Sequence, residues 1–222
     1  MIESTSIKLN KMHVDFGNNP FDASLEIKNL KDYALDMNVK GQMNLVDLNK
    51  MLPIDGLEIA GDLDLDLSAK GVYDGVNQII PVLDMRFALE NGEIKSDQMP
   101  SSLNGLTLKA TILNSTSLIA DTEIEVEKLE FEMDGQPFSA VAKVINPLDA
   151  RWTANIKGIL DIEKLMALYP LEGMHLEGTV IADVSSIGTM KAIESAQYGS
   201  LNTSGSFELS NFVYEDELFD QQ

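Results

Sequence analysis

Phe21 and Phe138 stand 117 residues apart, and the chain laid on itself at that offset stays in register without a gap from Thr5/Thr122 to Gly71/Gly188. Identities along the line include Pro20/Pro137, Phe21/Phe138, Asn38/Asn155, Lys40/Lys157, Gly41/Gly158, Pro53/Pro170, Gly56/Gly173, Gly61/Gly178, Asp66/Asp183 and Ser68/Ser185. Several are Gly or Pro, the residues that fix turns and bulges, so a backbone plan is repeated and not only a composition. The repeat divides the chain into a first unit over 1–121 and a second over 122–222. The first is expected to lack part of its N-terminal portion, and the second to be cut short at its C-terminal end.

Apolar residues recur with a period of two. Ile7 and Leu9, a one-residue slip, then Met12, Val14 and Phe16 are matched by Ile124 and Val126, then Leu129, Phe131 and Met133. Alternation predicts strands with one buried face, and the shared slip predicts a β-bulge in each unit. The same pattern runs through Phe21–Ile27, Leu35–Val39, Leu57–Ala69, Met85–Leu89, Leu106–Ile112, Trp152–Ile156, Leu176–Val184 and Ser206–Leu209. One short helix interrupts each unit. Asn44 is placed to cap a helix carrying Leu45, Leu48 and Leu52 before Pro53; Asp161 is placed to cap one carrying Ile162, Leu165, Met166 and Tyr169 before Pro170. Short connections between neighbouring strands predict antiparallel pairing.

An apolar sheet face must be covered. About two turns of helix per unit cannot roof so many strands. Either the sheet closes on itself as a sandwich or barrel, or it curls into a trough whose lining is filled by something else. The inward candidates are mainly Leu, Ile, Val and Met, and aromatic residues make up 6% of the chain, a lining suited to acyl chains more than to sugar rings.

Charge excludes other classes. Asp and Glu number 36 against 16 Lys and Arg, a net charge of −20 that repels nucleic-acid phosphates and offers no basic patch to anionic lipid headgroups. Without cysteine there is neither a disulfide framework nor a thiolate metal site, and no apolar run is long enough to be a membrane span. The opening Met1-Ile2-Glu3-Ser4 has no basic segment and no apolar signal core. The chain is then either cytoplasmic or has had its targeting segment removed, and the repeat favours the second.

An ordered series of landmarks follows the repeat. Phe87-Ala88-Leu89-Glu90-Asn91-Gly92 precedes Met99-Pro100, Leu103-Asn104-Gly105-Leu106, the Thr122–Met133 strand and Asp134-Gly135-Gln136-Pro137-Phe138. Lys157-Gly158, Tyr169-Pro170-Leu171-Glu172-Gly173, Leu176-Glu177-Gly178, Tyr198, Ser204-Gly205 and Leu209-Ser210-Asn211 complete it. From about Thr5 to Asp216 this succession resembles the AsmA family of Gram-negative envelope proteins, especially its Bacteroidetes-type form. The resemblance implies a long periplasmic protein anchored in the inner membrane by an N-terminal helix. It implies a body similar to the repeating β-groove proteins, and a part in outer-membrane biogenesis through phospholipid handling or transport. The chain departs from that pattern at both ends: it carries no anchor helix, and the second unit stops soon after Phe212-Val213-Tyr214.

The expected fold is therefore mainly β, a curved antiparallel sheet or half-pipe groove of two repeated units with one short helix each. Leu63, Leu65, Leu67, Leu106, Leu108, Val180, Ala182 and Val184 are its candidate groove-facing residues, and a phospholipid or other acyl-chain lipid is the expected partner. Exposed sheet edges are expected to invite self-association. A reading of a different class is a closed β-sandwich used for adhesion or carbohydrate binding.

No enzyme is expected, and no cofactor or metal. Asp62, Asp64 and Asp66 have the first spacings of a calcium loop, but Leu67 stands where such a loop needs Gly and Tyr73 where it needs its bidentate Glu. His13 and His175 are the only histidines, too few for zinc without cysteine. Carboxylate pairs such as Glu123/Glu125 and Glu215/Asp216 are what so acidic a chain contains everywhere, and nothing marks one as a glycosidase pair.

Overall fold

The computed structural model describes residues 6–16, 19–28, 34–97, 102–168 and 174–216. Eleven strands follow one another in a single sheet whose spatial order is the order of the chain. They are β1 (Ile7–Phe16), β2 (Asn19–Lys28), β3 (Ala34–Asn44), β4 (Leu57–Gly71), β5 (Val82–Ser96) and β6 (Leu103–Asn114), then β7 (Glu123–Met133), β8 (Gln136–Ile145), β9 (Arg151–Asp161), β10 (Met174–Thr189) and β11 (Asn202–Asp216). Every neighbouring pair is antiparallel. The sheet is curved and open, the form of a half-pipe. Among the described residues no second sheet packs on it, so the closed sandwich is not the architecture adopted.

The two units share bulges as well as strands. Pairing of β1 with β2 slips between Leu9 and Met12, and pairing of β7 with β8 slips between Val126 and Leu129, where the sequence placed it. A second slip falls between Ala60 and Asp62 in β4 and between Glu177 and Thr179 in β10. Beyond β4 and β10 the offset grows to 120: Asn91 of β5 and Asn211 of β11 occupy the same left-handed conformation, with φ of 54° and 52°. The extra residues lie in the loop before β11, which holds a short helix, α3 (Met190–Glu194), capped by Thr189 Oγ1 accepting from Ala192 N at 3.1 Å.

The helices α1 (Leu45–Met51) and α2 (Ile162–Leu168) follow β3 and β9. Asn44 Oδ1 accepts from Val46 N at 3.1 Å, and Asp161 Oδ1 accepts from Lys164 N at 3.3 Å, so each expected cap satisfies an amide of the first turn. One detail of the expected stripe is corrected. Leu52 is not part of α1: it is 68% exposed, in a non-helical conformation (φ −130°, ψ 71°) ahead of Pro53, where the proline ring disfavours helical backbone. Tyr169 and Pro170, expected to close the second helix, and the landmarks Met99-Pro100 and Leu171-Glu172-Gly173 lie outside the described residues.

Close strand packing explains one repeated glycine. A Cβ on Gly41 would stand 2.7 Å from Phe21 Cα and 2.8 Å from Pro20 O; on Gly158 it would stand 2.6 Å from Phe138 Cα and 2.5 Å from Pro137 O. The Pro-Phe of one strand thus lies against the glycine of the next in both units, which is why the three residues recur together.

The packed core is small and sits at one end of the sheet. Leu103, Phe131 and Met133 are buried there, with Ile94, Leu106, Leu129, Phe138, Leu160 and Leu165 of α2 against them. The rings of Phe131 and Phe138 stack at 4.9 Å. A polar node closes the opposite end of β6: Asn114, 2% exposed, donates to Leu118 O at 2.6 Å and Thr122 Oγ1 at 2.8 Å, and accepts from Ser117 N at 2.8 Å. Its side chain thereby does for the β6–β7 connection what backbone pairing does for the strands.

Candidate functional site: an apolar sheet face

Register decides which side chains share a face. Met43 of β3 pairs with Leu63 of β4, Leu63 with Leu89 of β5, and Leu89 with Leu108 of β6. The row continues from Leu108 to Leu129, Ala140, Ile156 and Val184, so one apolar line crosses eight strands. Residues two apart on a strand share a face. The same face therefore receives Leu65 and Leu67 of β4, Val180 and Ala182 of β10, and Leu106, which pairs with Gly92 of β5. All eight candidate groove residues project from one side of the sheet. The alternation had left Met43, Leu89, Leu129, Phe207 and Leu209 unnamed as lining; pairing with named positions puts them beside the others.

Burial along this face is graded. Leu89 and Ala182 are buried, and Leu63, Leu65, Leu67 and Val184 are half-buried. At the edges Ile7 and Leu9 of β1 and Leu209 of β11 are exposed, and Phe207 is 63% exposed. The helices do not cover the face as a layer. Leu165 of α2 packs into the cluster around Phe131 and Met133, at one end. The chain presents 14249 Å² to solvent, against about 10,000 Å² for a compact globule of this mass. A sheet that is not folded over on itself accounts for such an excess.

The other face is polar and charged. Lys8 and Glu26, Asp36 and Lys70, Lys40 and Asp66, and Lys157 and Asp183 stand directly opposite one another on neighbouring strands. Lys40 Nζ lies 2.7 Å from Asp66, and Lys157 Nζ lies 2.7 Å from Asp183, the equivalent pair in the second unit. The carboxylate raises the pKa of each lysine, and Lys40 holds the Asp66 carboxyl below its ordinary range. Exposed pairs of this kind contribute little stability, but reversing one would set like charges face to face, so they favour a single register.

Residues considered for catalysis or metals belong to this polar face. Asp62, Asp64 and Asp66 accept hydrogen bonds from Asn44 at 2.9 Å, Gln42 at 2.8 Å and Lys40 at 2.7 Å, and so act as cross-strand partners along β3. Glu123 and Glu125 share Lys143, at 2.9 and 3.5 Å, and the two carboxylates raise the lysine's pKa, Glu123 more strongly. His13 lies 2.9 Å from Asp22. His175, on β10, lies 2.8 Å from Glu177, whose carboxylate raises the imidazole pKa above its ordinary 6.5. A shallow depression is lined by Gln42, Asp62, Asp64, Glu90 and Lys109 together with Met43 and Leu63.

No family model, no curated protein and no solved structure matches the chain. The class the coordinates define is an open, internally repeated antiparallel sheet with one apolar and one charged face.

Proposed function

We propose that the chain is a non-enzymatic part of an AsmA-like envelope protein in which the apolar face holds and passes acyl chains of phospholipids. One observation carries the reading: a single apolar row crosses eight strands with no layer of described residues packed over it. An aliphatic half-pipe fits the cross-section of hydrocarbon tails and leaves a charged headgroup in water, while the acidic outer face keeps the assembly soluble. The resemblance of the ordered landmarks supports a periplasmic setting, with an inner-membrane anchor in the intact protein and a role in outer-membrane biogenesis. The adhesion or carbohydrate-binding alternative called for two packed sheets, and the single open sheet takes away that support.

A fluorescent fatty acid such as parinaric acid tests the reading. The chain is expected to take it up saturably and to release it when dispersed phosphatidylglycerol competes. Leu65→Asp together with Val184→Asp should weaken uptake by about tenfold or more, because each places a charge where hydrocarbon would lie. Asp64→Asn, on the other face, should leave uptake unchanged. Absence of uptake, or uptake indifferent to the paired aspartates, would remove the proposal.

A further inference from the structure

The two units differ in chemistry at one place on the apolar face. At the end of the strands away from α1 and α2, the first unit has Leu35, Ala69 and Leu83, and the second has Trp152, Ser186 and Thr203 at the equivalent positions. Ser186 lies two residues from Val184 and directly opposite Thr203, so both project from the side that carries the apolar row. The indole ring has room beside them because Gly188 stands opposite Trp152: a Cβ there would lie 2.6 Å from Trp152 Cζ2. Trp152 Nε1 donates to Ser186 Oγ at 3.0 Å, and Ser186 Oγ lies 2.9 Å from Thr203 Oγ1.

Counting hydrogens shows what this trio lacks. The indole carries one N–H and each hydroxyl one O–H, and the two bonds within the trio use two of these three hydrogens. The third has no acceptor among the described residues, whichever hydroxyl carries it. The neighbours of the trio on this face are Val144, Ala154 and Val184, none of them charged. A neutral donor at the margin of an apolar surface fits a neutral acceptor; a phosphate or carboxylate would call for a cation.

We infer that Trp152, Ser186 and Thr203 form a station for the ester carbonyl of an acyl lipid. A hydroxyl of Ser186 or Thr203 donates to the carbonyl oxygen, and the Trp152 N–H holds Ser186 in place. The inference rests on the lipid-handling reading proposed above and adds a substrate class to it, lipids whose chains are ester-linked. Ser186 is about 7 Å along β10 from the row through Ile156 and Val184, so a tail laid on that row brings its linkage to the hydroxyls. The first unit, with Leu35, Ala69 and Leu83, offers no such stop. The station opens on the face of the sheet and not at an edge. Trp152 and Ser186 lie on strands with a neighbour on each side, and Leu83, the counterpart of Thr203, is only half-buried although β6 lies beside its strand.

Two lipids that differ only at the linkage test it: dioctanoyl phosphatidylglycerol, and its di-O-octyl ether analogue, which has no carbonyl. Each is used below its micellar concentration to displace parinaric acid from the full chain. The ether is the more apolar of the two, so a face that reads only hydrocarbon would prefer it. The station predicts that the wild type binds the ester about five- to tenfold more tightly, the yield of one hydrogen bond. Trp152→Leu with Ser186→Ala and Thr203→Leu restores the first unit's residues and should abolish the preference, with affinity for the ether kept within about twofold. The milder pair Ser186→Ala with Thr203→Val removes both hydroxyls and should lose most of it, whereas Thr203→Ser should keep it. Equal affinity of the wild type for the two lipids, or a preference that survives the triple substitution, would overturn the inference and leave lipid handling standing. Variants that stay folded by far-UV circular dichroism yet lose both lipids alike would also overturn it. Displacement by neither lipid would overturn the lipid-handling reading and the station together.

Discussion

Gly158→Val will destabilise the chain by about 4 kcal/mol. The backbone at Gly158 has φ of 143°, a conformation that costs an L-residue about 1–3 kcal/mol. A side chain would also enter the space of the preceding strand, where even a Cβ stands 2.5 Å from Pro137 O and 2.6 Å from Phe138 Cα. The two nearest atoms are backbone and cannot swing aside as a flexible side chain would, and overpacking of this kind adds about 1–3 kcal/mol. Gly135→Ala provides the comparison: φ is 72° there, but nothing lies within 4 Å of the added carbon. It should cost only the conformational part, about 1–2 kcal/mol. Urea unfolding followed by far-UV circular dichroism measures both, and equal losses would show that the close approach of β8 and β9 does not constrain the fold.

Phe131→Ala is expected to cost about 3–5 kcal/mol, the range for emptying a buried aromatic site. Phe131 is 9% exposed, stacks on Phe138 and packs with Leu103 and Met133 in the one described cluster of buried residues. Leu165 of α2 leans on the same cluster, so the helix should lose its seat as well. The equivalent residue in the first unit is Val14, half-buried on β1 near the sheet edge. Val14→Ala removes two methyl groups from a partly wet site and should cost no more than about 1.5 kcal/mol. Similar losses at both positions would contradict a core concentrated where the two units meet, in the cluster of Leu103, Phe131 and Met133. Because strands pair only with their neighbours in the chain, each loss should spread from its own strands rather than be felt uniformly.

Much of this architecture was legible in the sequence because its signals are local. Period-two alternation marks a strand without knowledge of its partner, and the Leu9/Met12 slip marks a bulge because the apolar phase changes by one residue. Asn44 and Asp161 announce helices by capping chemistry that acts within a single turn. The repeat then turned local signals into long-range ones: the Pro-Phe and Gly identities recur together because they touch across two strands. Closure was not legible. A Leu-rich strand interior reads the same in a sealed sandwich as in an open trough, and only the uninterrupted order β1 to β11 distinguishes them. The Leu45, Leu48, Leu52 stripe overreached at Leu52, since helical spacing persists in a sequence past the point where Pro53 disfavours helical backbone. The α3 turn also left no apolar stripe to find, as only Ala192 of its five residues is buried.

The candidate face was legible in its membership but not in its exposure. Leu63, Leu65 and Leu67 share a side by alternation alone, whereas their continuity with Val184 needs six further strand pairings. Whether solvent reaches them follows from what else packs there, which no residue of the strand itself encodes.

Native-state thiol labelling measures that accessibility directly, in a chain that has no cysteine of its own. Single cysteines at Leu65, Leu108 and Val184 would be compared with Met133→Cys in the packed cluster, 3% exposed in the wild type, and with Asp64→Cys on the polar face. An open apolar face predicts that the three lining cysteines react with a small thiol reagent within about tenfold of the Asp64→Cys rate, while Met133→Cys waits for unfolding. Lining cysteines as slow as Met133→Cys would mean that the face is sealed, and would contradict the account.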